Sequence, residues 1–312
     1  MLKNECRVIS VSATKGGVGK TTTVVNLAKS LIDLDSDNKV LIIDMDAQAN
    51  ASQMVLYESD AYYDNCLSNL LTDSVGNIIL NINDILSAIQ IPCYSKQVKE
   101  GSQWVVIDEP FGFDILPTMI GMQLLELAFT RKSKNILINN YEAELMLSNI
   151  VDLIKKHLDY NYILIDTPPS MGIFTINALM ASDYVIIPSS KGLFSIKGIE
   201  YTESLIKTLV DYRDKDIKIL GILLSSFRES GQADIYTKKT IYANYPEIPL
   251  FHTKIPYTAE VDNKLIEGML VCQKHAGLKR RYKELALEVI YNIEHYDEIQ
   301  AALASRTIEE EE

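Results

Sequence analysis

The run Ser12-Ala13-Thr14-Lys15-Gly16-Gly17-Val18-Gly19-Lys20-Thr21-Thr22 carries the residue types needed to hold a polyphosphate. Gly16, Gly17 and Gly19 let backbone N–H groups converge on phosphate oxygens, where larger side chains would block the approach. Lys20 supplies a point charge for the β and γ phosphates, and the Thr21 hydroxyl is placed to bind Mg2+. The general phosphate-loop pattern G-x-x-x-x-G-K-[ST] fails at its first position, where Thr14 stands. The narrower pattern K-G-G-x-G-K-T-T fits from Lys15 through Thr22. A second chemical group lies far away in sequence: Asp166 ends the apolar run Tyr162-Ile163-Leu164-Ile165 and can hold the magnesium through a water.

These side chains need a scaffold that the surrounding sequence predicts. Val8 to Val11 is apolar, and Val24, Val25, Leu27, Ala28 and Leu31 recur at helical spacing, so the loop joins a strand to a helix. The helix start offers unpaired N–H groups and a positive dipole end to the anion. Lys39 to Asp44 is a short apolar run ending in an acid and reads as a buried parallel strand. In an open α/β sheet its carboxyl end lies beside the phosphate loop.

The lysine-bearing loop resembles the deviant Walker A motif of the ParA/MinD group of P-loop ATPases. Two further segments support the resemblance: Asp44-Met45-Asp46-Ala47-Gln48-Ala49-Asn50 is similar to that family's D-x-D-P-Q-x-N switch, and Asp166-Thr167-Pro168-Pro169-Ser170 to its second switch. The resemblance spans the chain to about Tyr291 and implies an α/β P-loop NTPase fold, a mostly parallel twisted sheet with helices on both faces. It implies that ATP and Mg2+ bind at Lys15, Gly16, Gly17, Val18, Gly19, Lys20, Thr21 and Thr22, with Pro256 at the adenine. Thr21, Asp44 and Asp166 would serve the metal. Asp46 would position or activate the attacking water, and Lys15 would reach the partner's nucleotide across a homodimer interface. Ala47 stands where the family has proline, so the switch lacks that constraint on φ.

The same resemblance implies an ATP-hydrolysing partition protein for plasmid or chromosome segregation, cytoplasmic and nucleoid-associated. It would close as a dimer on MgATP, hold DNA without sequence preference and answer to a ParB-type centromere-binding partner. Lys207 and Arg228 are the candidate DNA contacts, with Lys279-Arg280-Arg281 as a further basic cluster. The first strand starts near Cys6, so specific operator binding is not expected. The alternative is a membrane-associated positioning ATPase of the MinD kind, but Glu309 to Glu312 would be repelled by anionic lipid. A tyrosine-kinase relative would need a clustered tyrosine tail, an iron–sulfur relative a ligating cysteine pair, and a non-catalytic scaffold would not need the intact motif residues.

Composition sets the outer bounds. The 312 residues, 47% hydrophobic and 23% charged, suit a large α/β domain. A net charge of -12 speaks against a general nucleic-acid binder, yet the charge is uneven. From Arg228 to Lys283 bases outnumber acids by roughly ten to six, while the stretch from Glu284 holds roughly nine acids against Arg306. Cys6, Cys66, Cys93 and Cys272 lie far apart and read as packing residues. No run reaches the ~18 apolar residues of a membrane span. The organisation expected is a single domain over residues 1–292 and an acidic, flexible tail over residues 293–312.

Between these motifs the pattern predicts short amphipathic helices near Leu67–Leu71 and Ile82–Ile89 and a helix over Tyr141–Leu158. Strands are expected at Gln103–Ile107 and Phe113–Pro117, joined by a turn at Pro110-Phe111-Gly112. The first of these is an addition to the family pattern, making a hairpin or an edge extension, and its Trp104 reads as a core or interface residue. Later helices are expected at Gly172–Ala181, Phe194–Tyr212 and Lys274–Tyr291, and strands at Asp183–Pro188 and Ile217–Phe227.

Overall fold

Runs of Val, Ile and Leu without polar alternation must be covered on both faces. They form the sheet in the computed structural model, which describes residues 5–56, 65–75, 80–100, 103–119, 122, 125, 143–213, 216–228, 231–258 and 270–311. Strands β1 (Arg7–Val11), β2 (Val40–Asp44), β5 (Asp114–Leu116), β6 (Tyr162–Asp166), β7 (Tyr184–Ser189) and β8 (Lys218–Leu224) pair in parallel. Their order is β5-β2-β6-β1-β7-β8. The chain leaves β1 toward β2 on one side and later returns to β7 on the other. The crevice at the carboxyl end of β1 is therefore the switch point where ligands of open α/β sheets bind.

Side chains alternate between the two faces and fill separate cores. Val40 and Ile42 join Leu27, Leu31, Tyr282 and Val289 of α1 (Lys20–Leu34) and α10 (Ala276–Glu294). Leu41 and Ile43 join Ile85, Ile150 and Ala178 of α4 (Ile82–Ala88), α5 (Met146–His157) and α6 (Ile173–Ala181). A third cluster packs α7 (Leu193–Arg213) and α8 (Gln232–Asn244) onto β7 and β8 through Ile199, Ile206 and Ile241. Each fully buried Leu or Ile contributes about 1.5–3 kcal/mol, so this layered packing dominates stability. The remaining helices are α2 (Asn50–Val55), α3 (Leu67–Val75), α9 (Val271–Lys274) and α11 (Tyr296–Glu311).

Gly221 shows how a backbone position shapes the site. The register of β7 and β8 slips between Val185 and Ile186, and Gly221 sits at φ +150. A Cβ there would lie 2.7 Å from the Pro249 carbonyl oxygen. The glycine thus admits the segment from Pro249, whose carbonyl accepts the Ile222 N–H at 2.8 Å. That segment runs on to Pro256, which bridges Phe227 in parallel.

The structure departs from the sequence expectations in three places. The added strand pairs with no part of the main sheet. It is β4 (Gln103–Pro110), antiparallel to β3 (Cys93–Glu100), which the sequence reading missed. Cys93–Glu100 lacks apolar alternation because the ribbon is solvated, held by cross-strand pairs such as Lys96–Glu109 at 2.9 Å and Ser95–Asp108 at 2.9 Å. The Pro110-Phe111-Gly112 corner accordingly leads not into a hairpin partner but into β5, which is parallel to β2. The expected tail contains helix α11, whose first turn carries Asp297 and Glu298, favourable at a helix N-terminus. Its Tyr296 ring lies 4.9 Å under the Lys218 ammonium. The Tyr141–Leu158 helix resolves into a 3-10 turn at Ala143–Leu145 followed by α5; Tyr141 lies outside the described residues.

Candidate functional site

The loop after β1 is built to leave N–H groups free. Gly17 and Gly19 have φ of +71 and +79, the left-handed region that a side chain would strain. Gly19 caps α1 with no side-chain hydrogen bond to the helix, so the first-turn donors remain available to an anion. Val18 is buried, and its carbonyl accepts the Ser225 hydroxyl at 2.5 Å, which ties the loop to the end of β8. Gly16 stands 4.0 Å, as an added Cβ, from Pro169 of the Asp166–Ser170 segment. Thr22 closes the first turn, its carbonyl accepting from Asn26 at 2.8 Å.

Lys20 is buried, and its ammonium donates to the Ala13 and Lys15 carbonyls at 3.2 Å each. Burial lowers its pKa, against the opposing pull of Asp166 and then Asp46. The three motifs that lie apart in sequence therefore meet around one ammonium group. Asp166 is fully buried, and neither carboxylate oxygen has a hydrogen-bond partner among the described residues. The Thr21 hydroxyl beside it, and the Lys20 ammonium, favour its charged form. Burial first, and Asp44 second, push its pKa well above the ordinary carboxylate value.

Asp44 is the neighbour of Asp166 in the β2–β6 register and has a different environment. Its Oδ1 accepts the Asp46 N–H at 3.1 Å, and its Oδ2 accepts the Ser52 N–H at 2.8 Å and hydroxyl at 2.7 Å. Burial nevertheless pushes it up to about 7. Asp46 folds its own switch: Oδ1 accepts the Gln48 N–H at 3.0 Å and Oδ2 the Asn50 amide at 3.4 Å. Ala47 is buried, and the sharp bend falls at Ala49, with φ +53 and its N–H on the Asp46 carbonyl at 2.8 Å.

An orphaned buried carboxylate beside a threonine hydroxyl, with a second buried carboxylate raised in pKa behind it, is a donor set suited to a hard divalent cation. Thr21 and Asp166 fit a magnesium ion, and Asp44 adds charge to the same place.

Lys15 does not point away from its own chain. Its Nζ donates to Ser195 Oγ at 2.9 Å and Ser190 Oγ at 3.4 Å. Gly198 permits this approach of α7, since an added Cβ would stand 3.3 Å from Thr14 Oγ1. Ser52, Ser190 and Ser195 were not legible in the sequence. They carry no motif and reach the site only through sheet order.

The matching AAA domain family covers residues 6–219. The sporulation initiation inhibitor protein Soj of Bacillus subtilis is 29% identical over 92% of this chain and 99% of its own. The chromosome partitioning protein ParA of Caulobacter vibrioides is 26% identical over 93% and 96%. The chain belongs to the ParA/Soj-type P-loop ATPases. Its fold is also that of cobyrinic acid a,c-diamide synthase from Mycobacterium smegmatis, solved with ADP and magnesium, at a TM-score of 0.67, 22% identity and 93% and 96% coverage.

In this ParA/Soj-type chain the remaining candidates lie beyond the phosphate loop. Pro256 is exposed on the segment paired with Phe227, whose N–H donates to the Ile255 carbonyl at 3.0 Å. Lys207 is ion-paired with Glu203 at 2.5 Å, and Glu247 adds to the negative field around it. Arg228 is exposed, its guanidinium 4.4 Å over the Tyr257 ring. Structure therefore separates the two DNA candidates: one is already paired with a carboxylate, and the other has no carboxylate partner among the described residues. In the basic cluster on α10, Arg280 and Arg281 bond Glu284, and Lys279 reaches Asp33 at 3.6 Å. Among the described residues no helix is long and apolar enough to cross a membrane.

Proposed function

We propose that this protein is an ATP-hydrolysing partition ATPase that dimerises on MgATP and holds DNA non-specifically. It would release DNA when a ParB-type partner stimulates hydrolysis. The observation that carries the reading is the meeting of Lys20, Asp46 and Asp166 around one glycine-rich loop. The name of the ParA relative supports the cargo class.

Loop N–H groups and Lys20 would cradle the phosphates, since phosphoryl transfer needs positioning and charge stabilisation above all. Bound magnesium would neutralise charge on the β and γ phosphates, held by Thr21 and Asp166. Asp46, at the start of the switch, would orient the attacking water. Lys15 would leave Ser195 for the partner's nucleotide, where clustered phosphates favour a second ammonium. Pro256 would flank the adenine. Arg228 would contact DNA phosphate, and Lys207 would do so only by giving up Glu203. The place of action would be the cytoplasm, on the nucleoid.

The deciding experiment is retention of random-sequence duplex DNA with ATP, ADP or no nucleotide at two salt concentrations. Salt-sensitive retention with ATP alone is expected. Absence of binding under every condition would remove DNA from the cycle.

A further inference from the structure

Beyond the carboxyl end of β8 lies a second concave site, a cavity of about 550 Å3 between α8, α10 and the Leu250–Tyr257 segment. No phosphate-loop residue lines it, although Pro256 does, and among the described residues no carboxylate does. Arg228, Lys238, Lys254 and Arg281 all do. Three of these cations lie on aromatic faces: Arg228 over Tyr257 at 4.4 Å, Lys254 over Phe227 at 5.0 Å and Lys238 over Tyr242 at 5.6 Å.

Among the described residues the surrounding acids are already committed. Glu288 accepts the His252 and Thr253 N–H groups at 2.5 and 2.9 Å, and Glu284 takes Arg280 and Arg281. Asp234 is buried and accepts the Arg228 N–H at 3.2 Å. Arg228, Lys238 and Lys254 consequently have no carboxylate partner among the described residues. Three unpaired cations around one concavity repel each other, and they do so on a chain of net charge -12. A bound anion removes that repulsion. The ring faces hold each cation from one side and leave its other donors free. The volume is that of a small-molecule site, wide enough for a polyphosphate or one displayed phosphate group.

We propose that this pocket binds a phosphate-bearing anion independently of the phosphate loop. The phosphate is supplied either by a free polyphosphate or by DNA, and in the DNA case the inference rests on the function proposed above.

The test uses wild-type protein, the pocket variant Lys238→Ala/Lys254→Ala and a control, Lys239→Ala/Arg280→Ala. The control removes equal charge from α8 and α10 outside the pocket. Inorganic triphosphate is titrated calorimetrically into each protein in excess MgADP, and duplex DNA is titrated into each with ATP. The expected result is at least ten-fold weaker binding of one probe by the pocket variant, with the control unchanged. Loss confined to triphosphate assigns a free anion, and loss of duplex affinity assigns DNA phosphate. If the pocket variant binds both probes as wild type does, or the control weakens equally, the proposal falls. Failure of wild type to bind duplex would overturn the DNA reading alone, and the triphosphate titration would still decide the pocket.

Discussion

Asp44 and Asp166 occupy the same rung of the adjacent parallel strands β2 and β6, both fully buried, yet only Asp44 has hydrogen-bond donors on its oxygens. The unpartnered carboxylate is the one next to Thr21 and Lys20.

Asp166→Asn replaces a buried carboxyl whose oxygens have no hydrogen-bond partner among the described residues. The metal-free protein is expected to melt at a higher temperature, since burial makes this carboxyl costly to ionise even beside the Lys20 ammonium. Stabilisation by MgADP should shrink, and ATP turnover should fall by about 10²–10³-fold. Thermal melts with and without MgADP, alongside a turnover assay, check all three; an unchanged MgADP shift would exclude Asp166 from the metal site.

Lys15→Ala should leave nucleotide affinity within a few-fold of wild type and abolish the ATP-dependent dimer. Ser195→Ala removes the hydroxyl that holds Lys15 at 2.9 Å in its own chain, so it should favour the dimer. Light scattering with ATP reads both. An ATP dimer of Lys15→Ala would sink the role in trans.

Ala49 sits at φ +53, which strains a residue with a Cβ by roughly 1–2 kcal/mol. Ala49→Gly should stabilise the protein by about 0.5–1 kcal/mol in urea unfolding, after the greater entropy of glycine in the unfolded chain is subtracted. A loss of stability would show that neighbouring contacts, rather than strain, set this bend.

Tyr160 donates to the Asp114 carboxylate at 2.6 Å, and burial still leaves that carboxyl above its ordinary pKa. A raised folded pKa means a contribution fully present below the unfolded value and lost as pH rises through the folded one. Tyr160→Phe withdraws a bond that favours the charged form. Its cost should be about 1 kcal/mol at pH 7 and smaller near pH 4, measured by urea unfolding at both. Equal cost at both values would show that packing, not the carboxylate, is affected.

What the sequence disclosed follows from how each feature is encoded. Interior strands such as Leu41-Ile42-Ile43 are written in consecutive residues, because both faces are covered. Lys20, Thr21 and Asp166 are legible because phosphate and metal demand fixed types at fixed spacing. Cys93–Glu100 was not legible, since a solvated ribbon imposes no apolar period and its pairing depends on a strand that follows it. Ser195 was equally hidden: it meets Lys15 across a separation of 180 residues. Lys207 was legible as a basic residue, but its pairing with Glu203 only appears once side chains are placed.

The ribbon of β3 and β4 leaves and re-enters the body of the protein at nearly one place. Gln90 and Ile115 exchange backbone hydrogen bonds at 2.7 and 2.9 Å, and the Phe111 N–H meets the Pro92 carbonyl at 3.0 Å. Whatever lies between those links is carried on a closed stem, and the order of the main sheet is the same with or without it. A change of length within this segment would therefore leave the strand order of the main sheet, and with it the nucleotide end, in place.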